Sequence, residues 1–181
     1  MVTGPMAAGG IRMKQAITMA FEEINANGGV LGGRPLEMVL VDDTGTPTGA
    51  VNAVNKILGE NVSVSIGPHT SPMASATQEL YRKAGVPFIT AATSPKLLEA
   101  ENPYFFRISV SDGAVGPAMV EFAKDKFGVK KIGALYDTDD YGVAADGATK
   151  QYCADNGIEY YSEGFTSGDK GQGPDLPAFQ D

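Results

Sequence analysis

Val64-Ser65-Ile66-Gly67-Pro68-His69-Thr70-Ser71-Pro72-Met73 is answered further along the chain by Val86-Pro87-Phe88-Ile89-Thr90-Ala91-Ala92-Thr93-Ser94-Pro95. Each stretch reads as a short apolar strand running into a hydroxyl-bearing turn, with proline at the first helical position. Proline is tolerated there because its missing N–H has no intrahelical partner to lose. The residue before it, Ser71 or Ser94, suits an N-cap. Two such turns place hydroxyls and free backbone N–H groups side by side at one edge of a parallel sheet, the edge at which open α/β sheets bind ligands. A pair of helix N-termini favours an anion. The expected ligand is therefore a small carboxylate, held without metal or cofactor.

Outward from these turns, the pattern is strand alternating with helix. Ile11, Ala16, Ile17, Ala20, Phe21 and Ile24 recur at helical spacing after a glycine-rich loop from Thr3 to Gly10, and Asn27-Gly28-Gly29 stops that helix. Leu36 to Val41 reads as a strand ending on Asp42-Asp43. Thr46-Pro47 opens a second helix with Ala50, Val51, Val54, Ile57 and Leu58 on one face. Val62–Ile66 and Val86–Thr90 are strands flanking a helix from Met73 to Ala84, and Phe105 to Val110 is extended. The pattern restarts at Asp112. A helix carries Val115, Met119, Val120, Phe122, Ala123 and Phe127, and Lys131–Tyr136 is a strand. Asp137–Gly142 is a loop, Val143 to Asn156 a helix, Ile158–Tyr161 a strand, and Asp175–Asp181 the start of a further helix. Such alternation means βα units and an α/β fold with parallel sheets. It divides into a first lobe, 1–112, and the start of a second, 113–181. Both ends read as incomplete, since the opening loop has no strand before it.

Composition narrows the function. Lysine plus arginine is 14 against 22 acidic residues in 181, a net charge of −8. An acidic surface without a basic run argues against nucleic acid and anionic membranes as partners. No apolar run approaches the roughly 20 residues of a membrane span, and Met1-Val-Thr-Gly-Pro5 lacks the basic start and apolar middle of an export signal. Cys153 is the only cysteine, so no internal disulfide forms.

Glu22-Glu-Ile-Asn-Ala-Asn-Gly28-Gly29, Val41-Asp42-Asp43, Ile66-Gly67-Pro68-His-Thr-Ser71, Ile89-Thr-Ala-Ala-Thr93-Ser-Pro95, Phe106-Arg107 and Tyr136-Asp-Thr-Asp-Asp-Tyr141-Gly142 follow one another in fixed order. This ordered set resembles the branched-chain amino-acid (leucine/isoleucine/valine) binding proteins, the type I periplasmic substrate-binding proteins of ABC importers. The resemblance implies two Rossmann-like lobes closing over a ligand. It implies that Ser71 and Thr93 offer hydroxyls to the ligand α-carboxylate. The backbone of Ala91, Ala92 and Thr93 would complete the cradle and meet the ammonium, and Tyr141 would close over the ligand. It further implies a small amino acid or related carboxylate as ligand, a membrane permease as partner, and a periplasmic or lipoprotein-anchored extracellular location. No catalytic residue, cofactor or metal is implied. The first loop, Ala7-Ala8-Gly9-Gly10, lacks the bulky residue that often lines the family's side-chain pocket. The family's acidic partner for the ammonium is expected beyond Asp181.

Other readings compete. His69 stands two residues from Ser71, but neighbouring side chains on an extended turn rarely meet and no Gly-x-Ser-x-Gly elbow is present. Asp42-Asp43 and Asp137, Asp139 and Asp140 could suggest a hard-cation site, yet carboxylates at strand ends commonly cap helices. Gly28-Gly29-Val-Leu-Gly32-Gly33 follows a helix and precedes a strand, the reverse of a phosphate loop. Nothing supplies a nucleophile, base and orienter together, so an enzyme ranks below a binding protein, and below a sensor domain of the same fold.

Overall fold

The computed structural model describes residues 1–4 and 6–168. The helix expected at 175–181 lies outside them. The protein is α/β with parallel strand pairing, as the alternation requires. It forms two compact units. One comprises residues 1–69, 76–90 and 102–106, and the other, among the described residues, 70–75, 91–101 and 107–168.

The first unit is built on α1 (Ala7–Ala26), α2 (Pro47–Gly59) and a three-stranded sheet in the order β1 (Ser65–Ile66), β2 (Phe88–Thr90), β3 (Phe105–Arg107). β1 and β2 run parallel, Ser65 opposite Phe88 and Ile66 opposite Ile89. Thr46 caps α2, its side chain accepting from the Gly49 N–H at 3.0 Å, with Pro47 at the first helical position. The apolar face of α2 delivers Val54 to a core with Tyr81 and Phe88. Tyr81 stacks on Phe88 with centroids 4.4 Å apart, and Phe105 meets Phe88 edge-on at 5.4 Å. The Tyr81 hydroxyl, buried with its ring, is satisfied by Ser65 Oγ at 2.7 Å.

Two expectations fail here. The glycine-rich loop ends early, because α1 already begins at Ala7. Gly9 and Gly10 are helical, and Gly10 is buried where the Met1 main chain passes too close to admit a Cβ. Leu36–Val41 is not a strand: no described backbone pairs with it, and Met38, Val39 and Leu40 are exposed. A strand needs a neighbour to exchange N–H and C=O groups. Here the segment is held at its start by the Asn25 amide, which accepts from the Leu36 N–H at 2.7 Å and donates to the Leu36 carbonyl at 2.9 Å.

The second unit carries α5 (Asp112–Phe127), β4 (Lys131–Asp137), α6 (Asp140–Asp155) and β5 (Glu159–Phe165). β4 and β5 pair in parallel from Lys131 opposite Glu159 to Asp137 opposite Phe165, so the last strand runs further than Tyr161. Val120, Cys153 and Ile158 form the core, packed by Ile132, Tyr152 and Tyr160. Helix ends follow capping chemistry. Ser111 caps α5, and Gly128, at φ 66°, closes it in the left-handed conformation. Asp139 caps α6 by accepting from the Gly142 N–H at 2.9 Å, which starts that helix at Asp140 rather than Val143.

Gly142 sits where the first turn of α6 packs on the Asp137 main chain. A Cβ there would overlap the Asp137 carbonyl oxygen. Gly142→Ala is expected to cost about 1–3 kcal/mol, the usual range for overpacking, because backbone cannot rotate aside as a side chain can. Chemical denaturation of the two proteins measures the difference, and an unchanged midpoint would refute the close approach.

Candidate ligand-binding site

α3 (Ser71–Ala84) and α4 (Lys96–Glu99) follow β1 and β2 through the two hydroxyl-bearing turns. Ser71 is the first helical residue of α3, and its side chain does not cap its own helix. Instead its Oγ accepts the backbone N–H of Ser94 at 3.1 Å, joining the two turns. Ser94 is not a side-chain cap either: α4 starts at a Pro95 N-cap without a side-chain hydrogen bond. With four residues, α4 is too short for its dipole to attract an anion, so the second half of the expected anion site rests on individual donors.

Ser71 is 2% exposed and Thr93 half-buried. Since the Ser71 oxygen accepts from Ser94, its own proton is left to donate elsewhere. The Thr93 hydroxyl makes no hydrogen bond among the described residues, whereas the Thr93 carbonyl accepts the Asp112 N–H at 3.0 Å. The Ala91 carbonyl accepts Ser109 Oγ at 2.9 Å and keeps a second lone pair, while Ala92 is buried beside it. Ser71, Ala91, Ala92 and Thr93 are thus brought together.

Asp112 is the residue that sequence reading missed. It is 8% exposed, at the first position of α5, where the helix N-terminus favours its negative charge. Its Oδ2 is buried without a hydrogen bond among the described residues. Buried carboxylate oxygens are normally paired, so this one is a candidate ligand contact. Asp112 also ties Tyr141 to the group. The Asp112 charge, with burial and then Asp139 adding to it, pushes the Tyr141 phenol above the ordinary tyrosine range. Asp112→Asn should return Tyr141 toward about 10, read by ultraviolet titration of the phenolate. A phenol raised on folding stabilises the fold fully below the unfolded value of about 10 and loses that contribution as pH rises through the folded one. An unchanged titration in Asp112→Asn would separate the two residues.

Other acidic groups are held by the backbone around them, and Asp43 also pairs with the N-terminal ammonium at 2.8 Å. Asp43 accepts from the Gly45 N–H at 3.0 Å, Asp137 from the Asp139 N–H at 3.3 Å, and Asp139 from Gly142. Open surface hollows of about 410 and 440 Å³ run along α1 and α2, and neither is lined by the site residues. No described helix is long and apolar enough to cross a membrane.

Residues 1–178 match the family model described as periplasmic binding protein. A Leucine-, isoleucine-, valine-, threonine-, and alanine-binding protein of Pseudomonas aeruginosa is 33% identical over 171 residues, 93% of this chain and 46% of its own length. Among solved structures, a leucine binding protein LivK from Thermotoga maritima superposes with a TM-score of 0.84 at 27% identity. It covers 94% of this chain and 48% of that one. The branched-chain amino acid transporter substrate binding protein LivJ from Streptococcus pneumoniae, in complex with isoleucine, gives 0.83 at 26%, covering 98% and 51%. The chain spans about half the length of the curated relatives it matches. With nearly every residue inside the match, the chain belongs to the periplasmic binding protein family.

Proposed function

We propose that this chain is part of a solute-binding protein that takes up a free α-amino acid, branched or otherwise aliphatic, and presents it to an ABC importer. The Ser71 and Thr93 hydroxyls receive the α-carboxylate, and the Ala91–Thr93 backbone lines the same cradle. Asp112 and the Ala91 carbonyl face the ammonium, and the Tyr141 ring closes against the ligand. The observation that carries this reading is the pairing of opposite chemistries through one residue. Thr93 has a hydroxyl available to an anion, and its carbonyl accepts the backbone N–H of Asp112, whose buried carboxylate has an unpaired oxygen. Donors next to an uncompensated carboxylate suit a zwitterion better than a plain acid, whose single charge would leave Asp112 unpaired in a buried place. The relatives' names, which are those of amino-acid binding proteins, support the same ligand class.

In this reading the protein works by binding alone, outside the cytoplasm, in the periplasm or held to a membrane by a lipid anchor. Its partner is the importer's permease. Residues 1–112 serve as the first lobe and 113–181 belong to the second. Calorimetry of the intact protein with L-isoleucine, L-isoleucinol and the deaminated acid tests it. Binding of the zwitterion with loss of both analogues is expected, and equal binding of the deaminated acid would remove Asp112 from the site.

A further inference from the structure

The segment that leaves β3 contacts the second ligand turn with every other residue. The Ser109 hydroxyl donates to the Ala91 carbonyl at 2.9 Å and the Ser111 hydroxyl to the Thr93 carbonyl at 3.4 Å. Arg107 Nη1 donates to the Ser94 carbonyl at 3.2 Å and the Thr93 carbonyl at 3.4 Å. The residues between, Ile108 and Val110, are 74% and 66% exposed. This is the two-residue period of extended chain, with one face wholly given to the carbonyls of 91–94.

Arg107 is the charged member. It is half-buried, and among the described residues it forms no ion pair, so its charge is spent on carbonyls. The Thr93 carbonyl that it touches belongs to the same peptide unit as the Ser94 N–H, the group that donates to Ser71 Oγ. Arg107, Ser111 Oγ and the Asp112 N–H all donate to that one oxygen. Donors on a peptide oxygen polarise its N–H, and hydrogen bonds in series strengthen one another. Electron density drawn toward Arg107 makes the Ser94 N–H a stronger donor. That fixes the Ser71 hydroxyl with its proton pointing away from Ser94 and makes it a better donor in turn.

We propose that Arg107 is the positioning residue of the carboxylate cradle, acting through the Thr93–Ser94 peptide to orient and polarise Ser71 without touching the ligand. The role rests on the amino-acid reading above only for what Ser71 donates to; the Arg107–peptide–Ser71 relay itself is a property of the unliganded protein.

The test therefore begins without ligand. In ¹H–¹⁵N correlation spectra of the intact protein, Arg107→Gln should move the Ser94 amide proton upfield and speed its exchange with solvent, leaving the amides of β4 and β5 in place. Arg107→Lys keeps the charge on one nitrogen and should restore part of the shift, which keeps the question answerable if the glutamine variant folds poorly. With L-isoleucine as probe, Arg107→Gln should bind roughly fivefold to tenfold more weakly, the scale of one hydrogen bond. Combining it with Ser71→Ala should add little, since both act through one oxygen. A Ser94 amide that stays in place in both folded variants overturns the proposal. So does full additivity of Arg107→Gln with Ser71→Ala. If wild-type protein ignores isoleucine while the Ser94 amide responds to Arg107, the relay stands and the amino-acid reading falls.

Discussion

Thr93→Ala is expected to weaken amino-acid binding by roughly 10- to 100-fold while leaving the melting temperature close to wild type. A hydroxyl donating to a carboxylate is worth on the order of 1.5–3 kcal/mol, and about 1.4 kcal/mol is a factor of ten. The Thr93 hydroxyl has no hydrogen bond among the described residues, so removing it deprives the fold of little. Thr93→Ser keeps the oxygen and should lose much less affinity. Ser71→Ala should show a comparable loss of affinity with a different companion effect. It strips the Ser94 N–H of its acceptor in a buried place, at a cost of about 1–3 kcal/mol in stability. Calorimetry and thermal unfolding on the same samples separate the pair. Unchanged affinity in both variants, with Ser71→Ala alone melting lower, would leave these hydroxyls a structural role only.

The largest stability effect is expected at Phe88. Its side chain is fully buried between Tyr81, stacked at 4.4 Å, and Phe105, edge-on at 5.4 Å. Phe→Ala in such a setting typically costs 3–5 kcal/mol, a transfer term plus the cavity left behind. Natural domains hold only about 5–15 kcal/mol in total, so Phe88→Ala should bring the first unit close to unfolding at room temperature. Phe88→Leu fills much of the space and forfeits mainly the ring contacts, worth about 0.5–1.5 kcal/mol per pair. Urea unfolding followed by tyrosine fluorescence, Tyr81 being the stacked partner, reads both. A Phe88→Leu midpoint within error of wild type would show that the ring stack adds little to this core, and a Phe88→Ala midpoint within error of Phe88→Leu would refute the cavity cost.

Local chemistry settled much of this protein. Strand-to-helix alternation is a matter of period, and period survives any arrangement of neighbours, so the α/β class and parallel pairing were legible from Val62 to Tyr161. Caps and stops are local as well. Thr46-Pro47, Asn27-Gly28-Gly29 and Gly128 act within a turn of where they stand. The ordered motifs likewise carried the family, and Ser71, Ala91, Ala92 and Thr93 did come together.

Pairing and partners are another matter, because they join residues far apart in the chain. Leu36–Val41 has the apolar run of a strand, but a strand exists only with a neighbour, and none of the described backbone supplies one. Ser71 and Ser94 each look like an N-cap in isolation. Only the folded chain brings the Ser94 N–H to Ser71 Oγ, which makes Ser71 a tie between the two turns instead of a cap. Asp112 reads as a helix-starting acid, unremarkable in sequence. Its importance comes from burial, an unpaired oxygen and the nearby Tyr141 phenol. Phe105 to Val110 was visible as extended chain, but which of its residues met the Ala91–Ser94 carbonyls was decided by the long-range packing that aligned them. Sequence thus determined the elements and the donor types, whereas tertiary structure decided which donor faces which acceptor, since hydrogen bonds form by distance in space and not by separation along the chain.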